Sequence, residues 1–530
     1  MRQTDTAPKK PERTPGLLRS GMIVSAFTLV SRILGFVRDQ VFGITFGSGL
    51  YTDAFLAAFK IPNFMRRLFA EGAFAQAFVP VFTEYKEKRS DEELQDLAAH
   101  VSGTLAGILF IVTLLGMLGA PLLISLFAPG FHDNQRFDLA SGMLVITFPY
   151  LLFVSLVAYA GGILNSYGRF AVPAMTPVIL NVFMIAAALL LAPLMDVPIE
   201  AMAWGVFFAG LAQLLFQLPY LKRLGLLRRP RWGWRHPGVR KVFTLMLPGI
   251  FGSSVAQINL LLDTIIASFL ATGTLGWLYF ADRLLEFPLG LFGIAIATVI
   301  LPRLSREHAL ASVDQFRQTL DWAVRLAILI ALPAMLGLLL LAQPIVSTLF
   351  EYGAYTALDT RMSAVALMAY SFGLPAFILI KILSPGYFAR QDTKTPVRIG
   401  IIAMISNMVF NIILVVPMIW LGSATPHLGL AIATSLSGWQ QVILLYRGLY
   451  KDGVYSISAA NKRFLMKSAL ALLCMTVVVF WFSPPAESWS GFPAIKRAAL
   501  LCGIIAAAAG AYAATLLLTG IRFNDLRATH

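Results

Sequence analysis

Five arginines lie inside apolar stretches of this chain, where a membrane protein tolerates charge poorly. Arg32 and Arg38 are in the first stretch, Arg66 and Arg67 in the second, and Arg283 is far downstream. A charge at bilayer depth costs about 2.5 to 3.5 kcal/mol even on insertion scales, so it normally faces a protein-lined, watery cavity. Because few acids lie nearby, these arginines predict a cavity that holds an anion.

The composition is that of an integral membrane protein. Of 530 residues, 58% are hydrophobic and 13% are charged, whereas soluble domains are about a quarter charged. The net charge of +15 does not indicate nucleic-acid binding, because most Lys and Arg lie in short loops between apolar runs. Only Cys474 and Cys502 could form a disulfide or a thiolate metal site, and both lie in apolar segments.

Apolar stretches of about 20 residues mark membrane spans, and we expect an all-α protein with fourteen of them. The second is longer than a bilayer requires, and Pro62 predicts a kink in it. The expected spans are 21–45, 50–84, 98–128, 138–165, 171–195, 200–221, 241–270, 276–304, 320–349, 360–388, 396–420, 425–449, 464–483 and 494–519.

Basic residues orient these spans. Lys and Arg follow the second, fourth, sixth, eighth, tenth and twelfth spans, while four of the alternate loops carry none. By the positive-inside bias, both termini are cytoplasmic. The apolar run after the polar N-terminus is expected to be an uncleaved span, because Arg32 interrupts it and no small-residue cleavage site follows.

The chain repeats weakly at an offset of roughly 220 to 230 residues. Thr176-Pro177-Val178 corresponds to Thr395-Pro396-Val397, and Asp53 corresponds to Asp282. These matches predict two parallel six-span halves, a common transporter plan. The expected organisation is a disordered tail (1–19), an N-lobe (20–222), a basic linker (223–240), a C-lobe (241–450), and two further helices with a C-terminal tail (451–530).

In the second span, Asp53, Lys60 and Arg67 are spaced by seven residues, and Glu71 follows Arg67 by four. On a helix they form one stripe, in which Arg67 and Glu71 are close enough to pair. Arg66 points about 100° away, so both arginines could border a broad cavity. The alternative is a salt-bridge set that only fixes packing.

In the first span, Arg32 and Asp39 share a helix face, while Arg38 points about 120° away. Both arginines could reach one cavity if Gly35 bends the helix. Alternatively, Arg38 pairs locally with Asp39 or extends to the membrane surface.

In the eighth span, Asp282, Arg283 and Glu286 form a trio near the outer end. Arg283 and Glu286 are one turn apart, so a structural ion pair is the alternative to a functional role. With Asp53, the acids could form an outer gate or exchange partners with the arginines.

Two further groups of polar residues interrupt apolar runs. Asp263 is surrounded by Leu and Ile and needs a cation, a proton or a hydrogen-bond donor as partner. Asn407 and Asn411 are one turn apart and could coordinate a hard cation through oxygen. Amides that only pack helices together are the alternative.

Catalysis finds little support in the residues. There is no GxxxxGK[ST] phosphate loop, and the six histidines are scattered without an HExxH motif. The outer loops are short and poor in acids, which argues against a metal-dependent glycosyltransferase. The missing acids therefore favour transport.

Several long motifs resemble the MurJ (MviN) family of lipid II flippases, in the multidrug/oligosaccharidyl-lipid/polysaccharide exporter superfamily. The similarity extends over nearly the whole chain from about residue 20. Its most specific segments are Ser31-Arg32-Ile33-Leu34-Gly35-Phe36-Val37-Arg38-Asp39, Thr52-Asp53-Ala54-Phe55, residues 63–74, residues 281–288, and Arg390-Gln391-Asp392-Thr393-Lys394-Thr395-Pro396.

The resemblance implies fourteen helices, two six-helix lobes and a central cationic cavity that works by alternating access. It also implies the substrate, lipid II, which is moved to the periplasmic leaflet of the bacterial inner membrane for peptidoglycan synthesis. In the family, positions matching Arg32, Arg38, Arg66, Arg67, Arg283 and Asp53 are implicated in function. A pyrophosphate is an anion that several guanidiniums can bind through paired hydrogen bonds. The last two helices are implied to border a groove for the lipid tail.

Some members of the family carry a sodium site, whose pattern Asp263, Asn407 and Asn411 match, with Thr434 as a further ligand. One family acid is replaced by Asn411, which weakens the expectation of sodium binding. Membrane potential is the other expected energy source, and no further cofactor is expected. The expected partners are lipid II, membrane lipids and cell-wall synthesis enzymes, with the chain acting as a monomer and no nucleic acid involved.

Other functions remain open at this point. They are an exporter of another polyprenyl-pyrophosphate-linked saccharide or of a cationic drug, a membrane enzyme acting on such a lipid, and a scaffold for cell-wall enzymes. The buried arginines argue against the drug and the scaffold.

Overall fold

The computed structural model describes residues 17–67, 74–132, 135–310 and 312–521, which form helices and short loops with no strand among them. Glu71 and most of the predicted N-terminal tail lie outside these residues. The helices in these ranges, α1 to α19 in chain order, are Leu17–Phe46, Leu50–Arg66, Ala75–Lys88, Asp91–Leu118, Ala120–Phe127, Gln135–Thr147, Tyr150–Ser166, Ala171–Ala186, Glu200–Arg223, Pro237–Ser268, Thr274–Pro288, Ile294–Ala309, Val313–Leu340, Ala342–Phe350, Ala357–Phe388, Lys394–Trp420, His427–Lys451, Ala459–Phe482 and Ala494–Leu518.

Local sequence signals fix where several helices begin. At α4, the Ser90 hydroxyl accepts from the Glu93 N–H at 3.2 Å, and the Glu93 carboxylate accepts from the Ser90 N–H at 3.1 Å. Thr356 and Asp359 form the same reciprocal pair at α15. Each pair satisfies two backbone donors that the first turn leaves without a helical partner.

Eleven helical stretches among the described residues are long and apolar enough to cross a membrane. The chain is therefore a multi-pass membrane protein. Three predicted spans are not among the eleven. The span 50–84 corresponds to α2 and α3 with undescribed residues between them, 241–270 corresponds to α10, and 276–304 corresponds to α11 and α12 joined by a π-helical turn, Leu289–Gly293. The count of fourteen stays a prediction.

The chain divides into two compact units, and α2 is split between them at Pro62. The first unit contains the chain up to Arg38, Pro62–Gly119 and Leu144–Ser253. Inside it, α7 packs against α3, α4, α8 and α9. The buried Phe78 ring contacts the Tyr159 ring at 5.1 Å between centroids, and the Tyr159 hydroxyl donates to the Ala98 carbonyl at 2.9 Å.

The second unit contains Asp39–Ile61, Ala120–Met143 and the chain from Ser254 onward. Inside it, α15 packs against α11, α12, α13, α14 and α17 around one apolar core. The last two long helices, α18 and α19, pack against each other and against α13 and α14 through a separate apolar cluster. The pair thus adds its own core to this unit.

Gly116 on α4 is held next to the buried Phe148 ring, which gives a test of packing in the first unit. A Cβ added at Gly116 would lie 2.0 Å from the Phe148 Cζ. We expect Gly116→Ala to destabilise the protein by about 1 to 3 kcal/mol through overpacking, although alanine favours a helix by about 1 kcal/mol. Thermal unfolding in detergent measures this. Gly510→Ala, which meets nothing within 4 Å, is the control, and equal midpoints for the two variants would contradict the packing argument.

Candidate functional site

Asp53 is a buried carboxylate in the first turn of α2, with 1% of its surface exposed. Its Oδ2 accepts from the Gly273 N–H at 2.7 Å, and its Oδ1 accepts from the Gly276 N–H at 3.1 Å. Gly273 has φ +99° and immediately precedes α11. Backbone donors at a helix N-terminus favour a negative charge. Asp53 therefore caps α11.

Arg136 completes this buried cluster. Its Nη1 lies 3.7 Å from the Asp53 Oδ2, and its Cζ lies 4.5 Å from the centroid of the Phe131 ring. Arg136 was not among the residues predicted from the sequence. The available signal was its position between the third and fourth predicted spans, where the positive-inside bias predicts few basic residues. Its burial beside a carboxylate accounts for that exception.

Arg283 lies beside both acids of the predicted trio. Its Nη1 donates to the Glu286 Oε2 at 2.6 Å, and its Nη2 lies 3.9 Å from the Asp282 Oδ2. The Arg283 Cζ is 5.1 Å from the centroid of the Tyr279 ring, one turn earlier on α11. The Tyr279 hydroxyl donates to the Asp39 Oδ1 at 2.7 Å. Tyr279, which the sequence analysis missed, thus connects Asp39 to Arg283.

Arg38 contacts an amide that the sequence analysis also missed. Its Nη1 donates to the Asn181 Oδ1 at 3.0 Å, and the Asn181 Nδ2 donates to the Ser31 carbonyl at 3.0 Å. Asn181 lies on α8 and Arg38 on α1. A single amide in the apolar run 171–195 was the available signal, because buried amides commonly join helices.

Arg66 is oriented by a neutral group as well. Its Nε and Nη2 donate to the Asn63 Oδ1 at 3.0 and 2.8 Å. The buried Tyr150 side chain interacts electrostatically with both Arg66 and Arg38. Two of the predicted arginines, Arg38 and Arg66, therefore lie in the first unit. Their hydrogen bonds to amide oxygens fix the direction of the two guanidiniums.

The remaining predicted charges have varied surroundings. Arg32 is exposed on α1, and Arg67 is partly buried. Lys60 is partly buried and interacts electrostatically with Asp263. Glu71, the predicted partner of Arg67, lies outside the described residues, so their pairing stays a prediction.

Three of the four predicted sodium ligands lie together in the second unit. The Asn411 Nδ2 donates to the Asp263 Oδ1 at 2.9 Å and to the Asn407 Oδ1 at 3.1 Å. Asp263 thus has the hydrogen-bond donor that its position requires. The Thr434 hydroxyl donates to the Leu430 carbonyl in its own helix at 2.9 Å.

The motif from Arg390 to Pro396 forms the turn between α15 and α16. The pKa of Asp392 is held below its usual range because the side chain and the backbone N–H of Thr395 both donate to its carboxylate. Gln391 adopts φ +61°, in the left-handed region. The Arg390 Nη1 lies 3.0 Å from the Asp452 Oδ2 at the end of α17. In this structure the motif joins helix ends.

The contact between Arg38 and Asn181 can be tested by mutation. We expect Asn181→Ala to lower stability by about 1 to 3 kcal/mol, because it leaves the Ser31 carbonyl and the guanidinium without this amide. Thermal unfolding and hydrogen exchange of α8 measure the effect. Asn165→Ala, an exposed amide on α7, is the control. Equal exchange of α8 in both variants would show that the amide contributes nothing.

The fold matches two solved structures of membrane proteins. It matches the inward-facing conformation of a multidrug resistance MATE family transporter of the MOP superfamily with a TM-score of 0.65. That match covers 79% of this chain and 94% of the other at 13% identity, so it shows the fold alone. A structure described as lipid II flippase MurJ in an inward closed conformation matches with a TM-score of 0.76 and 27% identity, over 94% of this chain and 100% of that chain.

The sequence comparisons narrow the class to one family. The family model described as lipid II flippase MurJ matches residues 43–496. A probable lipid II flippase MurJ of Vibrio cholerae is 50% identical, covering 97% of this chain and 98% of the relative. The lipid II flippase MurJ of Burkholderia cenocepacia is 40% identical, covering 96% and 99%. The chain belongs to the MurJ family of lipid II flippases, which confirms the resemblance read from its motifs.

Proposed function

We propose that this chain is a flippase that moves lipid II from the cytoplasmic to the periplasmic leaflet of the bacterial inner membrane. Its family membership and its 50% identity to a probable lipid II flippase support the substrate. The single structural observation that supports the site is that Arg38 and Arg66 lie in the same unit and that each guanidinium is held by an amide oxygen, of Asn181 and Asn63 respectively.

The proposed chemistry is recognition of the pyrophosphate that links the sugar to the lipid. A guanidinium presents a planar set of donors that can bind two phosphate oxygens at once, and it stays charged when desolvated. The proposed substrate-binding residues are Arg32, Arg38, Arg66, Arg67 and Arg283. The proposed gating residues and charge partners are Asp39, Asp53, Lys60, Glu71, Asp282 and Glu286.

The proposed topology has fourteen spans, with both termini in the cytoplasm. Eleven helical stretches among the described residues meet the length and composition of a span, and α2 with α3, α10, and α11 with α12 supply the other three. Two six-helix lobes followed by α18 and α19 account for all fourteen. Such duplicated transporters work by alternating access.

Membrane potential is one proposed energy source. Each elementary charge that crosses the full field gains or loses about 2.3 kcal/mol per 100 mV, and the proposed substrate site is cationic. Transport in proteoliposomes should therefore change with an imposed potential, and a rate indifferent to it would contradict the proposal. Sodium is the second candidate, with Asp263, Asn407, Asn411 and Thr434 as ligands. If sodium drives transport, the transport rate should depend on the sodium concentration, and Asp263→Asn should abolish that dependence.

The test of the function is the leaflet in which lipid II accumulates. Cells depleted of this protein should accumulate intact lipid II in the inner leaflet, and the wild-type chain should restore delivery to the outer leaflet. Arg38→Ala and Arg66→Ala, expressed at equal membrane abundance, should fail to restore it. Outer-leaflet delivery that continues without the protein would refute the flippase. Normal delivery by both variants would refute the site but leave the flippase standing.

A related exporter would give a different result in the same experiment. If depletion leaves lipid II delivery normal and instead traps another polyprenyl-pyrophosphate-linked saccharide, the same cationic chemistry serves that lipid. If the purified protein converts lipid II to a new product, the chain is an enzyme.

A further inference from the structure

A second polar cluster lies in the first unit, on residues that the transport proposal does not use. Asp96 and His100 are one turn apart on α4, and His236 immediately precedes α10. One donor atom from each of the three residues lies within 4.8 Å of the other two. The sequence did not predict this cluster, because no spacing motif joins His100 to His236.

Two of the three donor separations in this cluster match those between neighbouring ligands of a tetrahedral metal ion, and the third is within 4.8 Å. The Asp96 Oδ2 lies 3.3 Å from the His100 Nδ1 and 3.5 Å from the His236 Nε2. With metal–ligand bonds of about 2.0 to 2.2 Å, neighbouring tetrahedral donors are about 3.3 to 3.6 Å apart. The side chains of Asp96, His100 and His236 are 42%, 20% and 17% exposed, so an ion can reach them from solvent.

Hydrogen bonds hold the loop before α10 against α4, and this contact fixes the position of His236. The Arg231 N–H donates to the Ala99 carbonyl at 2.9 Å, and the Gly233 N–H donates to the Thr104 hydroxyl at 3.0 Å. A Cβ added at Gly103 would lie 2.3 Å from the Arg231 backbone, so only glycine permits this approach. Because the loop is held by its backbone, bringing the donors together costs little further ordering.

We propose that Asp96, His100 and His236 bind a divalent transition-metal ion, with Zn²⁺ the best match, and that the ion fastens the loop 224–236 to α4. Two imidazoles and a carboxylate suit Zn²⁺, and a water molecule can complete the tetrahedron. Calcium and magnesium are poor matches, because they prefer sets of oxygen ligands. This site is independent of the proposed transport function.

Metal binding exchanges hydrogen bonds for coordinate bonds. The His100 Nδ1 lies 2.9 Å from the Asp96 carbonyl, and the His236 Nδ1 accepts from the Gly238 N–H at 3.1 Å. A metal bound to the His100 Nδ1 displaces the contact of this nitrogen with the Asp96 carbonyl. A metal bound to the His236 Nε2 leaves the proton of the neutral ring on Nδ1, which then no longer accepts from the Gly238 N–H. Arg231, whose Nη1 is 3.9 Å from the Asp96 Oδ1, is 69% exposed and can move aside.

The test uses the purified full-length chain in nanodiscs after metal removal by a chelator. Zn²⁺ titrated against a chromophoric competitor should bind at one equivalent, and Co²⁺ should give the visible absorption of a tetrahedral site. His236→Asn is the sharpest variant, because asparagine keeps a cap acceptor for the Gly238 N–H but lacks the Nε2 donor. We expect it to weaken Zn²⁺ binding at least about 100-fold, since even outer-shell changes cost about 10- to 100-fold.

Matched variants and a second readout complete the test. Asp96→Asn and His100→Gln should also weaken binding, while His308→Gln, an exposed histidine on α12, should not. Zn²⁺ should slow tryptic cleavage at Arg228 and Arg231 in the wild type but not in His236→Asn. Equal Zn²⁺ affinity and equal cleavage in wild type and His236→Asn would overturn the proposal, as would failure of the wild type to bind Zn²⁺.

Discussion

Arg283→Ala is expected to reduce lipid II transport by about 10- to 100-fold at equal membrane abundance. A hydrogen bond to a charged group contributes about 1.5 to 3 kcal/mol, and about 1.4 kcal/mol corresponds to a factor of ten. The substitution also removes the cation that lies 2.6 Å from Glu286 and 3.9 Å from Asp282. The trio then changes from a formal charge of −1 to −2, which repels a pyrophosphate.

The measurement is the fraction of lipid II in the outer leaflet of cells that carry only the variant. Arg283→Lys keeps the charge but loses the planar donors, so we expect an intermediate rate. Arg89→Ala is the control, because Arg89 forms a surface ion pair with Glu93 in which its side chain is 58% exposed, and such pairs contribute little. Transport by Arg283→Ala at the rate of Arg89→Ala would remove Arg283 from the substrate site.

Asp53→Ala is expected to produce the largest loss of stability, about 3 to 5 kcal/mol, because it breaks a buried ion pair from one side. The variant leaves the Gly273 and Gly276 N–H groups without their acceptor and removes the carboxylate 3.7 Å from Arg136. The first turn of α11 should open, and Arg283 lies on that helix. We therefore expect lower transport as well.

Hydrogen exchange of the Gly273 and Gly276 amides measures this opening directly, and thermal unfolding measures the global loss. Asp138→Ala removes an exposed carboxylate from α6, near Arg136 in sequence, and is the control. Asp53→Asn should lose less than Asp53→Ala, because an amide oxygen still accepts from the two backbone donors. Unchanged exchange at Gly273 and Gly276 in Asp53→Ala would show that the cap does not hold α11.

Much of the fold was predictable because the signals are local. Each apolar run contains within itself the residues that face lipid or core, so hydropathy identified helices such as α9, α16 and α19 without knowledge of their neighbours. Where a segment departs from a simple apolar helix, prediction was less complete. The run 276–304 is two helices joined by a π-helical turn that directly follows Pro288. Proline is a local signal of a break in a helix, but the prediction used it at Pro62 and not at Pro288.

The candidate site was predictable in its charged residues and not in their partners. Arg38, Arg66, Asp53 and Arg283 stand out because a charge in an apolar run is rare whatever surrounds it. Asn181, which accepts a hydrogen bond from Arg38, is an ordinary residue of another helix. Arg136 resembles a surface charge until its contact with Asp53 is known.

The sequence by itself determined that this is a helical membrane protein of the lipid II flippase family with cations inside its apolar segments. Only the tertiary structure decided that Asp53 caps α11, that Tyr279 joins Asp39 to Arg283, and that His236 lies beside Asp96 and His100. Composition and periodicity act over one or two helical turns, so they can be read along the chain. Partners such as Tyr279 and Asp39, 240 residues apart, are chosen by which helices pack together. Which helices pack together is decided by the sum of many small apolar contacts. None of these contacts indicates which polar residues the packing brings together.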